Sequence, residues 1–487
     1  MILSAPCGKL EGLDKDGFHS FQGIPYAKPP IGPRRFLPPE SLPPREGVRK
    51  AIHLGHASPQ LYVKGLSSLS EEETLDEDCL FLNVYTPETG GNHPVLFWIH
   101  GGAFQKGSGT MCMDPKAFVK EGIVVVSANY RLGALGFMDM SFLGEKYRES
   151  GNDGLLDILC ALKWVQENIS SFGGDPSNVT IMGQSAGSKI CSTLTLMKKA
   201  KGLFQKAVCM SGGVQCIRSR HTAGKVAEEF LKSAGLTKEN AGALLTMKWE
   251  KILEAQKSIF AGLNLHTVGP VFDGINFEGN DALSMLEEGK ARDISLLLGT
   301  NRDEMELYWH VYGTKGLDEK LAEKLFGTRA AIVLSDYEKI PKDENDHKNF
   351  IHFFTEYIYH APALRMAKAA AEGGQKVYLY RLDWDRQSYK ACHGSETQFL
   401  MGILGLLPDI DHSEAQKELT RKMRTAFISF IKKGKPEAEG LPEWPLFEGK
   451  QPKQMTFDEI CRVEKAPEIE TDPAMPFGIF ELDETDS

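Results

Sequence analysis

"NVTIMGQSAGS", residues 178–188, sets a strand-like run of β-branched and apolar residues directly against a serine held between two glycines. From Ala186 onward the pattern reads as a helix, so the local order is strand, Gly-x-Ser-x-Gly, helix. A turn that sharp leaves no space for bulky neighbours, and Gly183 and Gly187 relieve the crowding. The Ser185 hydroxyl is then expected to stand at the carboxyl edge of a sheet, where a nucleophile belongs.

Outward from this turn, apolar runs alternate with helical patterns. "PVLFWIH" (94–100) and "GIVVVSANYRL" (122–132) are continuous, β-branched and aromatic, the signature of strands covered on both sides. "KAVCMSG" (206–212), "ISLLLGT" (294–300) and "KVYLYRLDW" (376–384) repeat that signature. "GLLDILCALKWVQENISSF" (154–172) has helical spacing and stops at Gly173-Gly174. This alternation predicts an α/β fold: a wide, mostly parallel central sheet with helices on both faces. Two mainly helical, charged stretches, 217–262 and 305–372, interrupt it and read as excursions above the sheet. No Pro/Ser-rich linker brackets either, so 1–487 is expected to form one domain, with an acidic, frayed tail "FELDETDS".

Bulk properties exclude several classes of function. A net charge of −10 offers no basic face for nucleic-acid phosphates. No segment approaches the ~18–20 uninterrupted apolar residues of a membrane-spanning helix. The opening "MILSAPCGKLEGLDKDGF" lacks the basic and apolar regions of a secretory signal. The 9 cysteines are scattered without a CxxC or Cys/His ligand cluster, which disfavours a zinc site and favours reduced thiols in a cytoplasm.

An exposed serine needs a base to take its proton and donors to receive an oxyanion. "WIHGGAF" (98–104) follows a buried strand, and the Gly101 and Gly102 amides can turn toward a developing negative charge. The Ala186 amide, immediately after the serine, supplies a third donor. The chain order Ser, Asp/Glu, His removes His100 as base. His393, in the small-residue loop "KACHGSETQF", suits the task better than His360, which precedes a helix start, or His412. The acid is expected in "LLLGTNRDEMELY" (296–308), where spacing alone does not choose between Asp303 and Glu304.

With these residues in view, the chain resembles the type-B carboxylesterase family of α/β hydrolases, which includes the cholinesterases, and looks nearest to bacterial para-nitrobenzyl-type esterases. The resemblance runs through "FQGIPYAKPPIGPRRF" (21–36), "DEDCLFLNVYTP" (76–87), "NYRLGALGF" (129–137), "GTNRDE" and "ACHGSETQFLMG", as well as the serine turn. It implies an α/β-hydrolase fold and a catalytic triad of Ser185, Glu304 and His393, with Gly101, Gly102 and Ala186 as the oxyanion hole. It further implies that Ser211 supports the acid, and that Arg35–Glu77 and Arg131–Asp157 are structural ion pairs. The implied activity is hydrolysis of small to medium carboxylic esters through an acyl-enzyme, without metal or organic cofactor, by a monomer or homodimer. Lipase, amidase or thioesterase chemistry on the same triad is the alternative. A non-catalytic member would lack a triad residue or an oxyanion glycine, and all six positions are present.

Three departures stand out. Gln184 replaces the glutamate usual before the nucleophile, which removes a negative charge and implies a different pH response. Ser58 stands where secreted relatives carry a cysteine that pairs with the one matching Cys79. The loop 59–78 contains no tryptophan, which disfavours a choline site.

Overall fold

The first fifty residues supply β1 (Ile2–Ala5), β2 (Gly8–Glu11), β3 (Leu13–Lys15), β4 (Phe18–Pro25) and β5 (Arg45–Lys50). In this computed structural model, β1, β2 and β5 form a three-stranded sheet of their own, while β3 and β4 open the large one. The small sheet is absent from the sequence reading because its strands are short and half exposed, without a buried apolar run. The structure describes residues 1–61, 69–70, 72–260, 267–313, 316–340, 346–402, 409, 411–468 and 480–482.

The large sheet continues through β6 (Phe81–Thr86), β7 (His93–Ile99), β8 (Val124–Ala128), β9 (Gly174–Gln184), β10 (Lys206–Met210) and β11 (Ser295–Asn301). It closes with β12 (Val377–Leu382), β13 (Lys453–Phe457) and β14 (Arg462–Lys465). Its order is β14-β13-β12-β11-β10-β9-β7-β8-β6-β4-β3, eleven strands among the described residues. Pairing is parallel from β13 through to β8 and antiparallel at both margins.

The continuous apolar strands have a simple cause. Val95, Phe97 and Ile99 of β7 enter one core with Val179 and Ile181 of β9 and the helix Asp153–Asn168. Leu96 and Trp98 enter a second core on the opposite face, with Met182, Val208, Leu297 and the helix Glu414–Lys433. Because successive side chains point to opposite faces and both faces are covered, apolar residues dominate every position, with small polar exceptions such as Ser127 and Thr180.

The two excursions differ in how they are held. Residues 217–260 form the helices Arg220–Ser233 and Trp249–Phe260, whose Val226, Phe230, Ile252 and Phe260 join the first sheet core. The described residues of 305–372 form successive helices from Glu306–Tyr312 to Ala361–Glu372 and build a separate aromatic core from Tyr308, Phe326, Tyr337, Phe350, Phe354 and Tyr357. The tail departs from expectation: Glu481 accepts from Ser219 N and Ser219 Oγ at 3.0 and 2.9 Å, and pairs with Gly327. Residues 483–487 of that tail, and 62–68 and 71 of the tryptophan-free loop, lie outside the described residues.

Both implied ion pairs are present. Arg35 Nε and Nη2 reach the two oxygens of Glu77 at 2.7 and 2.5 Å. Arg131 grips Asp157 through Nε and Nη2 at 2.8 and 2.7 Å, and also reaches Asp153 at 3.0 Å, a third member the sequence did not indicate. Burial still pushes the Asp153 carboxyl well up, so this network stays in place only through its complete set of partners. All nine cysteines are free. Ser58, where a pairing cysteine was expected to be missing, accepts from Leu132 N through Oγ at 3.2 Å.

Candidate active site

β9 ends at Gln184 and the helix Ala186–Leu194 begins one residue later, so Ser185 carries the whole change of direction. Its backbone is strained at φ 59° and ψ −121°, and it is the one accessible residue in a run of buried neighbours. The flanking glycines are dictated by close approach. A Cβ on Gly187 would stand 2.0 Å from Ile99 O, and one on Gly183 would stand 2.4 Å from the Gly187 carbonyl carbon. No larger residue fits at either place.

The loop after β7 lies against this turn. A Cβ on Gly101 would meet Gln184 O at 2.7 Å and Ser185 Cβ at 3.1 Å, so the Gly101 backbone lies against the serine. Gly102 has φ +105° and no space for a side chain, with Lys106 O at 2.0 Å. Two residues that sequence reasoning left without a role fix this loop. His100 is fully buried, stacks on Tyr130 at 4.3 Å, and meets Gly101 O at 2.8 Å. Burial lowers its pKa to about 4, so it remains neutral. Gln60 clamps Gly107 from both sides, donating to its carbonyl at 2.9 Å and accepting from its amide at 2.8 Å.

The two adjacent carboxylates after β11 point in opposite directions. Asp303 turns outward and accepts from Arg302 Nε at 3.0 Å. Glu304 turns inward and is fully buried. One of its oxygens accepts from Ser211 Oγ at 2.6 Å and Asn301 N at 2.8 Å; the other lies 2.6 Å from His393 Nδ1. With Nδ1 held there, His393 Nε2 faces the end of β9, where Gln184 Nε2 approaches to 3.2 Å. In this arrangement no hydrogen bond joins His393 to Ser185; the Gln184 amide stands at Nε2 instead. The rings of Tyr308 and Tyr359 pack against the imidazole at 5.3 and 5.0 Å, so the second excursion reaches the base directly. His360 is occupied elsewhere, between Glu356 at 2.7 Å and Asn301 O at 2.9 Å, and His412 is exposed.

Glu396 is a residue that the sequence does not reveal. Fully buried on the helix Glu396–Met401, it contacts Ser211 Oγ at 3.2 Å and hydrogen-bonds Asn301 Nδ2. Burial, aided by the nearby Glu304 charge, raises its pKa from 4.5 to about 7. Ser211 has a single proton, which the shorter contact assigns to Glu304. The contact with Glu396 therefore uses the proton that Glu396 retains.

This shift sets the sign of a pH effect on stability. The folded protein holds the Glu396 proton more tightly than the unfolded chain does. The stability contributed by this proton is therefore lost as pH climbs from about 4.5 and is gone above about 7. Glu396→Gln, which keeps shape and neutrality, removes this loss. Its melting temperature should gain on wild type by a few degrees between those limits, as read by differential scanning fluorimetry. A difference independent of pH would show that Glu396 does not titrate in this way.

The comparisons with known proteins agree with one another. The family profile described as the carboxylesterase family matches residues 1–471. Para-nitrobenzyl esterase of Bacillus subtilis (strain 168) is 36% identical, covering 96% of this chain and 97% of that protein. Acylcarnitine hydrolase of Mus musculus is 33% identical over 92% of this chain and 86% of that one. Among solved structures, a carboxylesterase of Geobacillus stearothermophilus matches with a TM-score of 0.84 at 34% identity, covering 96% of this chain and 98% of its own. A thermophilic PNB esterase gives a TM-score of 0.87 at 33% identity, with 98% and 99% covered.

Proposed function

Because the chain belongs to the carboxylesterase family, and is thus a carboxylic-ester hydrolase with the α/β-hydrolase fold, we propose that Ser185, His393 and Glu304 carry its chemistry. The observation that carries this reading is the 2.6 Å contact between Glu304 and His393 Nδ1, which aims Nε2 at the strand end bearing Ser185.

Ser185 Oγ attacks the ester carbonyl while His393 Nε2 takes its proton. Glu304 keeps the proton on Nδ1 and stabilises the imidazolium without itself becoming protonated. The oxyanion forms against the amides of Gly101, Gly102 and Ala186, each donor contributing about 3 kcal/mol of barrier lowering. His393 returns its proton to the departing alcohol, and a water molecule then repeats the sequence on the acyl-enzyme. To start the reaction, the serine side chain must replace the Gln184 amide at Nε2. Such tightening on substrate binding is common, since catalytic hydrogen bonds are often open in the free protein.

Substrates of small to medium size suit the relatives' names, in a single 1–487 domain whose second excursion packs Tyr308 and Tyr359 on His393. The nine unpaired thiols support a cytoplasmic setting. Phenylmethylsulfonyl fluoride should stop turnover and add one adduct, which peptide mass spectrometry places on the fragment bearing Ser185. An adduct on another serine would move the nucleophile.

A further inference from the structure

Outside the machinery above, the cluster best equipped for chemistry lies at the start of the second excursion. Glu306 and His310 stand one turn apart on the helix Glu306–Tyr312, and His347 approaches from the helix Asp346–Thr355. Glu306 Oε2 lies 2.9 Å from His347 Nε2 and 3.4 Å from His310 Nε2, and all three ligand atoms fall within 4.8 Å of one another. We propose that these three residues form a binding site for a divalent transition ion of the Zn2+ type.

Charge balance alone does not explain the arrangement. Glu306 is only 2% exposed, yet Lys390 Nζ already neutralises it by binding Oε1 at 2.6 Å. The two imidazoles are surplus to that need, and both converge on the remaining oxygen. Small adjustments would bring these atoms to a coordination shell: zinc bonds of about 2.0–2.2 Å in a tetrahedron separate neighbouring ligand atoms by about 3.4 Å. One carboxylate oxygen and two imidazole nitrogens form a donor set for zinc and its neighbours in the transition series, and not for calcium or magnesium.

The surroundings hold the ligands in place. His310 stacks on Tyr389 with ring centres 4.3 Å apart and planes 5° from parallel, while His347 packs on Trp309 at 4.6 Å. Lys390 fixes the carboxylate through its other oxygen, the role of an outer partner that orients a metal ligand. The His310 and His347 side chains are 38% and 26% exposed, which gives an ion a path from solvent and leaves a fourth position for water. The Lys390 ammonium opposes the incoming charge and lowers the affinity expected of this donor set. Occupancy would tie two helices of the excursion together, one of them carrying Tyr308, which packs on His393. No spacing motif reveals this site, because its third ligand lies 37 positions from the second.

The test uses the full chain stripped with a chelator. Titration calorimetry should show one Zn2+ bound in the micromolar range, with the melting temperature rising by several degrees at saturation. Co2+ should give the visible absorption of a four-coordinate ion, and Mg2+ should give neither effect. His310→Gln and His347→Ala should each weaken binding at least tenfold and abolish the thermal shift. If His347→Ala does not fold, His310→Gln at the more exposed ring decides the matter. Binding of Zn2+ that His310→Gln leaves unchanged, or no binding up to millimolar Zn2+, would overturn the proposal.

Discussion

Ser185→Ala should lower kcat for p-nitrophenyl butyrate by about five to six orders of magnitude, the scale seen when a serine nucleophile is removed from its unit. The loss should fall on kcat, because the glycine loop beside the serine remains intact and continues to position the ester. A small residual rate, about 10³–10⁴ above water, should survive from the oxyanion donors and positioning alone. Folding should be spared: alanine meets the same backbone strain at φ 59° as serine, and the side chain makes no hydrogen bond that holds the turn. The melting temperature therefore separates chemistry from collapse. A variant that still gives a burst of nitrophenol and continues to turn over would transfer the nucleophile to another residue.

Glu304→Gln should cost about four orders of magnitude in kcat, while Asp303→Asn should change it less than threefold. The contrast arises from where the neighbouring carboxylates point. Glu304 accepts three hydrogen bonds, from His393, Ser211 and Asn301, and an amide cannot accept at all of them. Whichever way the amide turns, its NH2 meets a donor: either His393 loses its Nδ1 partner and its correct tautomer, or Ser211 and Asn301 lose theirs. Asp303 is already paired with Arg302 outside the buried cluster. Steady-state kinetics on the two variants, with thermal melts as control, checks the ranking. The reverse order would place the acid one position earlier.

The parts of this molecule that are legible in its sequence are those for which only one type of residue is physically admissible. β7 to β11 read plainly because both sides of each strand are buried, which disfavours polar interruptions. The glycines of the serine turn are legible because Ile99 O and the Gly187 backbone leave no space for a side chain. What depends on long-range meeting was not legible. Glu396 is an ordinary acidic residue in the sequence, and only burial beside Ser211, Asn301 and Glu304 makes it exceptional. The choice between Asp303 and Glu304 rested on the family resemblance, and only the backbone direction after β11 shows which one turns inward. The small β1-β2-β5 sheet was missed because half-exposed strands carry no periodic signal. The tail was expected to fray because charge dominates its composition, yet Glu481 is captured by Ser219.

The two cores that sandwich the central sheet have a bearing on evolvability. A strand answering to one core can tolerate drift on its outer face, but here that face answers to a second core, so change within the strands is nearly closed off. Innovation is displaced to the excursions, whose helices can be exchanged or lengthened while the serine turn stays rigidly mounted. Relatives can thus diverge in what they accept without re-inventing how they cut.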